Sequence, residues 1–238
     1  MVLSASSLFG AVHADGIVSS DIVGYATDNL TKGKFNMNAV VFNNIDGSDV
    51  NLNEDVTFVG ATGGYDETDA DSIQIWDAAT SGYTVFYYDI EDLCWYDAFG
   101  NEEPVIPSGC AFWYRSRGTT APSITQSGAV ENAATCPVVL TKGKFNMVIN
   151  PYPTAYSLND TDAVTFENSL GGYDETDADS IQVWDAGTSG YTVFYYDVED
   201  LCWYDAFGNE DPDVPGATPY WYRSRGSVAP TITFKKTF

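Results

Sequence analysis

The stretch GGYDETDADSIQIWDAATSGYTVFYYDIEDLCWYDAFGNE (63–102) decides the fold, because the chain carries it twice. It returns 108 residues later as GGYDETDADSIQVWDAGTSGYTVFYYDVEDLCWYDAFGNE (171–210). Extended to 63–118 and 171–226, 11 of 56 aligned positions differ. A period of that length is domain-sized rather than solenoid-sized. Inside the stretch, short runs of Val, Ile, Thr, Tyr, Phe and Trp are cut by Gly, Asp and Asn, as in sandwiches and barrels. GYTVFYYD, a turn at Ile90-Glu91-Asp92 and LCWYD read as a hairpin over 82–97. No window shows a sustained helical period.

Outward from that block, the pattern predicts strands near 22–27, 34–42, 55–59, 72–77, 83–89, 93–97, 110–116 and 122–127. TKGKFNM occurs at 31–37 and 141–147, and VTF at 56–58 and 164–166, so the two copies differ in length between them. The intervening segments, 38–55 and 148–163, also diverge most, which marks a surface connection or a place where the copies do different work. The expected fold is all-β: two tandem, homologous antiparallel β-sandwich domains, jelly-roll or Ig-like, over 15–130 and 131–238.

Hydrophobic residues at 44% and aromatics at 15% exclude disorder. The 34 acidic residues face 10 basic ones, a net charge of −24, which argues against nucleic acid and anionic membranes. Divalent cations, a salty medium or a cationic partner complement such a chain, and the charge also keeps a Tyr-rich surface soluble. MVLSASSLFGAVHA (1–14) reads as the end of a secretory signal, with Val12-His13-Ala14 before a cleavage point at Asp15. No run reaches the ~20 apolar residues of a membrane span. The chain is expected to be secreted, extracellular or on a cell surface. Four cysteines suit that compartment. Cys110 and Cys136 flank the junction outside the repeated pattern and are expected to pair; Cys94 and Cys202, repeat equivalents, pair with each other or stay reduced.

His13 is the chain's only histidine and lies in the presumed signal, which removes Ser-His-Asp and Cys-His chemistry from a mature chain. No catalytic residue stands out and no enzyme is expected, although a carboxylate pair could serve a glycosidase. The acidic loop YDETDADS gives Asp66, Glu67, Asp69 and Asp71, and again Asp174, Glu175, Asp177 and Asp179. Clustered carboxylates repel unless compensated, and Ca²⁺ with its 6–8 oxygen ligands is the usual compensator. The spacing departs from an EF-hand, and Asp capping of local backbone explains the same residues. In FWYRSRG, alternation sets Trp113, Arg115 and Arg117 on one face against Phe112, Tyr114 and Ser116. The second copy gives Trp221, Arg223 and Arg225. That row pairs either with acidic neighbours in its own module or with the acidic loop of another copy, a head-to-tail contact that builds open filaments. In YTVFYYD, Tyr83 and Tyr87 (Tyr191 and Tyr195) share a face with Val85, and apolar residues occupy both faces. Both faces are therefore covered, one by the core and the other by the partner module, another subunit or a sugar.

GKFNMVINPYP (143–153), SIQVWD (180–185), GYTVFYY (190–196) and IPSGCAFWY (106–114) resemble a loosely defined repeat domain of secreted bacterial surface proteins. The resemblance implies an exported β-sandwich and carries no site residues; the first copy departs from the NPYP element at Asn38–Val41. The expected function is a non-enzymatic extracellular structural protein that self-associates into a fibre or surface layer. A tandem carbohydrate-binding module, with polysaccharide as partner, is the alternative.

Overall fold

The computed structural model describes residues 2–6, 23–101, 104–208 and 212–238. Residues 7–14 of the presumed signal, His13 included, lie outside them. Every element is a strand. The first copy holds β1 (Val2–Ser6), β2 (Val23–Asn29), β3 (Phe35–Ala39), β4 (Val50–Asn51), β5 (Val56–Val59), β6 (Ser72–Asp77) and β7 (Gly82–Tyr88). It continues with β8 (Trp95–Asp97), β9 (Val105–Ile106), β10 (Ala111–Arg115) and β11 (Ser123–Ala129). The second holds β12 (Thr135–Val139), β13 (Phe145–Val148), β14 (Tyr156–Ser157), β15 (Val164–Glu167) and β16 (Ser180–Asp185). It ends with β17 (Gly190–Tyr196), β18 (Trp203–Asp205), β19 (Asp213–Val214), β20 (Tyr220–Arg223) and β21 (Thr231–Lys235). None of these elements is a helix able to cross a membrane.

The two copies are wired alike. A five-stranded sheet runs β3-β10-β6-β7-β8 in the first and β13-β20-β16-β17-β18 in the second. A smaller sheet opposes it, β2-β11-β5 and β12-β21-β15, and the pairs β4-β9 and β14-β19 close one end. All strand pairings are antiparallel, with Trp113 opposite Met37 and Gln74, and Trp221 opposite Met147 and Gln182. The all-β sandwich architecture expected from strand spacing is what the chain adopts. Strands β4, β9, β14 and β19, two residues each, escaped the sequence pattern because so short a run has no period to read.

Each sandwich closes on one apolar cluster drawn from both sheets. In the first, Val56 and Ile124 of the small sheet meet Ile73, Phe86, Trp95, Phe112 and Tyr114 of the large one. In the second, Val164, Ile232 and Phe234 meet Ile181, Phe194, Trp203, Tyr220 and Tyr222. Each such side chain contributes roughly 1.5–3 kcal/mol on burial. Phe112, Tyr114 and Ser116 face this core, as alternation predicts.

The small sheets differ at one edge. β1 pairs along β2, with Val2 opposite Thr27. Thr27 corresponds to Pro137 in β12. Leu140 N–H reaches back to the Pro230 carbonyl at 2.9 Å, so the alternating Pro137 position points away from β21. Proline offers no N–H to that open edge, and an incoming strand finds a missing donor there.

The expected Cys110–Cys136 disulfide is not formed, and none of the four cysteines is in a disulfide. Cys136 sits in β12 of the second small sheet, its Sγ 3.4 Å from the Tyr152 hydroxyl. Cys110 precedes β10 of the first large sheet, and burial pushes its thiol up to about 11. Proximity to the junction in sequence does not bring the two together, because they belong to different sheets of different copies. Denatured protein, never exposed to reductant, is expected to titrate four thiols with a chromogenic thiol reagent; two or none would contradict the reduced state.

Candidate functional site

The outer faces of the two large sheets lie against each other. Register puts Phe35, Met37, Trp113, Gln74, Trp76 and Tyr83 on one outer face, and Phe145, Met147, Trp221, Gln182, Trp184 and Tyr191 on the other. The contacts are reciprocal. Trp76 Nε1 donates to the Phe145 carbonyl at 2.7 Å, and Trp184 Nε1 to the Phe35 carbonyl at 2.8 Å. Trp76 meets Trp221 edge-on at 5.6 Å, Trp184 meets Trp113 at 5.3 Å, and Trp113 lies 6.4 Å from Trp221. Lys34 Nζ donates to Ser189 Oγ at 2.8 Å and Lys144 Nζ to Ser81 Oγ at 2.9 Å. Ala39, Ala111 and Ile149 form a small apolar cluster across the same contact. This is a pseudo-two-fold interface inside one chain. Each indole satisfies a carbonyl that its own sheet leaves unpaired, on the outer edges at β3 and β13.

Trp113 and Trp221 are thus spent on the partner module. Tyr83 and Tyr191 pack on Trp76 and Trp184, 4.9 Å away in each case, and rim an aromatic hollow of about 340 Å³. Burial raises both Tyr hydroxyls, partly offset by hydrogen bonding with Trp113 and Trp221. Tyr87 and Tyr195 lie farther out on the same faces, stacked on Tyr96 and Tyr204 at 6.1 and 6.0 Å. Their hydroxyls are raised by desolvation and then by surrounding carboxylates, Asp89 and Asp66 foremost for Tyr87. Trp76, Trp184, Phe35 and Phe145 were not among the residues singled out from sequence. The alternation in SIQIWD, which sets Gln74 and Trp76 opposite Ile73 and Ile75, was the signal for them.

Arg115 and Arg223 sit over the rings of Phe35 and Phe145, 4.6 Å from each centroid. Arg117 and Arg225 reach the acidic loop of their own module, where Nη2 donates to the carbonyls of Glu67 and Glu175 at 2.8 Å. Of the two destinations open to this row, the chain's own loop is the one occupied here.

The acidic loop is closed by backbone donors. Asp66 Oδ1 accepts from Thr68 N and Oγ1 at 2.7 and 2.6 Å, which holds its carboxyl below the usual range. Asp69 Oδ1 accepts from Tyr65 N and Asp66 N at 3.0 and 3.2 Å. Gly64 leaves room for this: a Cβ there would collide with the Asp69 carboxylate. Asp71 is fully buried and accepts from Tyr114 Oη at 2.7 Å, Arg117 N at 2.6 Å and Thr62 N at 3.1 Å. Asp179 repeats this with Tyr222 Oη, Arg225 N and Leu170 N at 2.8, 2.6 and 3.1 Å. Asp174 and Asp177 repeat Asp66 and Asp69. The Asp66, Asp69, Asp174 and Asp177 carboxylates point into their own turns, and among the described residues no group of three or more His, Cys, Asp or Glu is arranged to hold a metal ion. Asp71 and Asp179 act as buried anchors that tie the loop to β10 and β20.

Exposed apolar side chains recur in the turns at the two ends of β8 and of β18. Phe99 and Phe207 are 92% exposed, and Leu93 and Leu201 are 64% and 66% exposed. Tyr65 and Tyr173 stand beside them in exposure, each at 68%. Leu93 and Leu201 also adopt left-handed backbone, φ 57° and 53°. A branched, apolar residue in that region costs about 1–2 kcal/mol, which Gly or Asn would avoid. Both copies keep the leucine.

Replacing Asp71 by Ala strands the buried Tyr114 hydroxyl and two part-buried backbone N–H groups and is expected to destabilise the first module by about 3–5 kcal/mol, read by urea unfolding. The double variant W76A/W184A is expected to lose about 2–4 kcal/mol and to separate one unfolding transition into two. An unchanged single transition would contradict the interface. No protein-family model matches the chain, and no curated protein matches its sequence.

Proposed function

We propose that the chain is a non-enzymatic extracellular structural protein that self-associates through the two tips carrying Phe99 and Phe207. The exposure of those two phenylalanines, identical in setting in both copies, carries the reading. Exposed apolar patches mark interaction surfaces. Leucine kept in strained, exposed turns at Leu93 and Leu201, at the other end of β8 and β18, is a second duplicated apolar position, and local strain concentrates at functional positions. The Trp and Arg rows first considered for assembly are engaged within the chain, which leaves the tips as the duplicated apolar surface.

Duplication supplies the geometry of growth. A tip-to-tip contact between identical surfaces is isologous, and a protein with one tip would stop at a dimer. A chain with two equal tips continues. Asp97 caps the Phe99 turn, Asp89, Glu91 and Asp92 lie in the preceding turn, and the chain's charge of −24 opposes such contacts. Salt shortens that repulsion to about 8 Å at physiological strength. A divalent cation such as Ca²⁺ bridging carboxylates of two chains offsets it more strongly, so assembly rather than folding is where calcium acts.

Wild-type protein in salt with millimolar calcium is expected to form linear assemblies by electron microscopy and sedimentation, and chelator is expected to shorten them. F99D/F207D is expected to remain monomeric with an unchanged melting temperature. Assemblies of undiminished length from that variant, or monomeric wild type at every concentration, would overturn the reading.

A further inference from the structure

A cleft of about 630 Å³ opens where the edge of the first sandwich meets the β16–β17 hairpin of the second. Its first wall is Asp28, Asn29, Thr31 and Asn38; its second is Trp184, with Pro153 and the 215–219 turn behind it. Asp28 lies on β2, one residue beyond its pairing with β1, and Asn38 on β3, the edge strand of the large sheet. Asn38 Nδ2 donates to Asp28 Oδ2 at 3.1 Å. Burial raises the Asp28 carboxyl, and the Asn38 bond offsets this in part.

This chemistry exists on one side of the pseudo-dyad alone. Sequence and register align Asp28 with Val138, Asn29 with Val139 and Asn38 with Val148. Val138 and Val148 join the apolar core of the second module. Two polar residues therefore stand in the first module where the fold accepts two valines. Packing does not require them, and a half-buried carboxylate is costly unless it is hydrogen-bonded. The opposite wall is equally particular to one copy. The 150–153 turn, Asn-Pro-Tyr-Pro, presses against Gly216, where a Cβ would strike the Pro153 carbonyl. The first module has neither the prolines nor Gly216 at the corresponding positions.

We infer that this cleft binds a neutral saccharide of one or two rings, with Asp28 and Asn38 hydrogen-bonding its hydroxyls and Trp184 lining its apolar face. The volume suits such a ligand, within the ~300–1,000 Å³ of ordinary small-molecule sites. Asp28 and Asp185 repel anions, and the lining carries no lysine or arginine. Carboxylate, amide and the Thr31 and Thr218 hydroxyls together offer acceptors and donors, as a polyol needs. Trp184 is held in place by its bond to the Phe35 carbonyl and its edge contact with Trp113, so its ring is preorganised. Ala155, Gly187 and Ala217 keep the floor shallow enough for a ring to approach.

The site is separate from the tips, and its test is read without assembly. Monomeric F99D/F207D protein, ¹⁵N-labelled, is titrated with maltose, cellobiose, lactose and chitobiose, and in a parallel arm with n-butylamine. At least one disaccharide is expected to shift the Trp184 indole and the Asn38 amide resonances. D28V/N38V restores the valine pair of the second module, and is expected to stay folded while weakening that binding about tenfold or more. Absence of shifts with all four sugars, equal affinity in D28V/N38V, or n-butylamine binding in place of sugar would each overturn the inference.

Discussion

Two indole N–H groups, Trp76 to the Phe145 carbonyl and Trp184 to the Phe35 carbonyl, fix how the two copies of this sequence share one chain. A sheet has two faces, and here both faces of each large sheet carry aromatic side chains. One face closes on its own core, around Trp95 in the first module and Trp203 in the second. The other needs a partner, and the second copy supplies it. Because the contact is reciprocal, four tryptophans and two carbonyls satisfy one another across it.

That constraint sorts the surface. The Trp-Arg-Arg rows make their contacts within the chain, with Arg117 and Arg225 holding the carbonyls of their own acidic loops. Those loops are braced from beneath by Asp71 and Asp179, each buried and each holding a tyrosine hydroxyl and two backbone amides. Bracing of this kind holds the neighbouring Asp89 and Asp197 turns against Gly64 and Gly172. Near-identity of residues 63–118 and 171–226 accords with the interface, where each face must match its twin across the pseudo-dyad.

Much of this was legible before any coordinates. SIQIWD, GYTVFYY and AFWYR read as strands, and their limits follow from the sequence to within one residue. The acidic loop's turn chemistry was legible as one of two readings, calcium or capping, and backbone capping accounts for its geometry. What alternation cannot supply is a partner. It places Trp76 and Trp113 on one side of a sheet but not against Phe145 and Trp221. Nor can it rank carboxylates: Asp71 looks like its neighbours in YDETDADS, yet it alone turns inward. The cysteines misled because nearness to a junction in sequence is not nearness in space, and β10 and β12 diverge into different sheets. Asp28 and Asn38 drew no notice because a polar pair on a strand edge is unremarkable until Val138 and Val148 are seen in its place.

The most direct test of the account is hydrogen exchange at the indole nitrogens in full-length, ¹⁵N-tryptophan-labelled protein. Trp76 and Trp184 are only partly buried, so their N–H groups owe their protection to the carbonyls across the interface. Both are expected to exchange at least about a hundredfold more slowly than free indole, and together, since one opening frees both. Exchange of either at the rate of a solvent-exposed indole, in folded protein, would mean that the two sheets do not face each other as described.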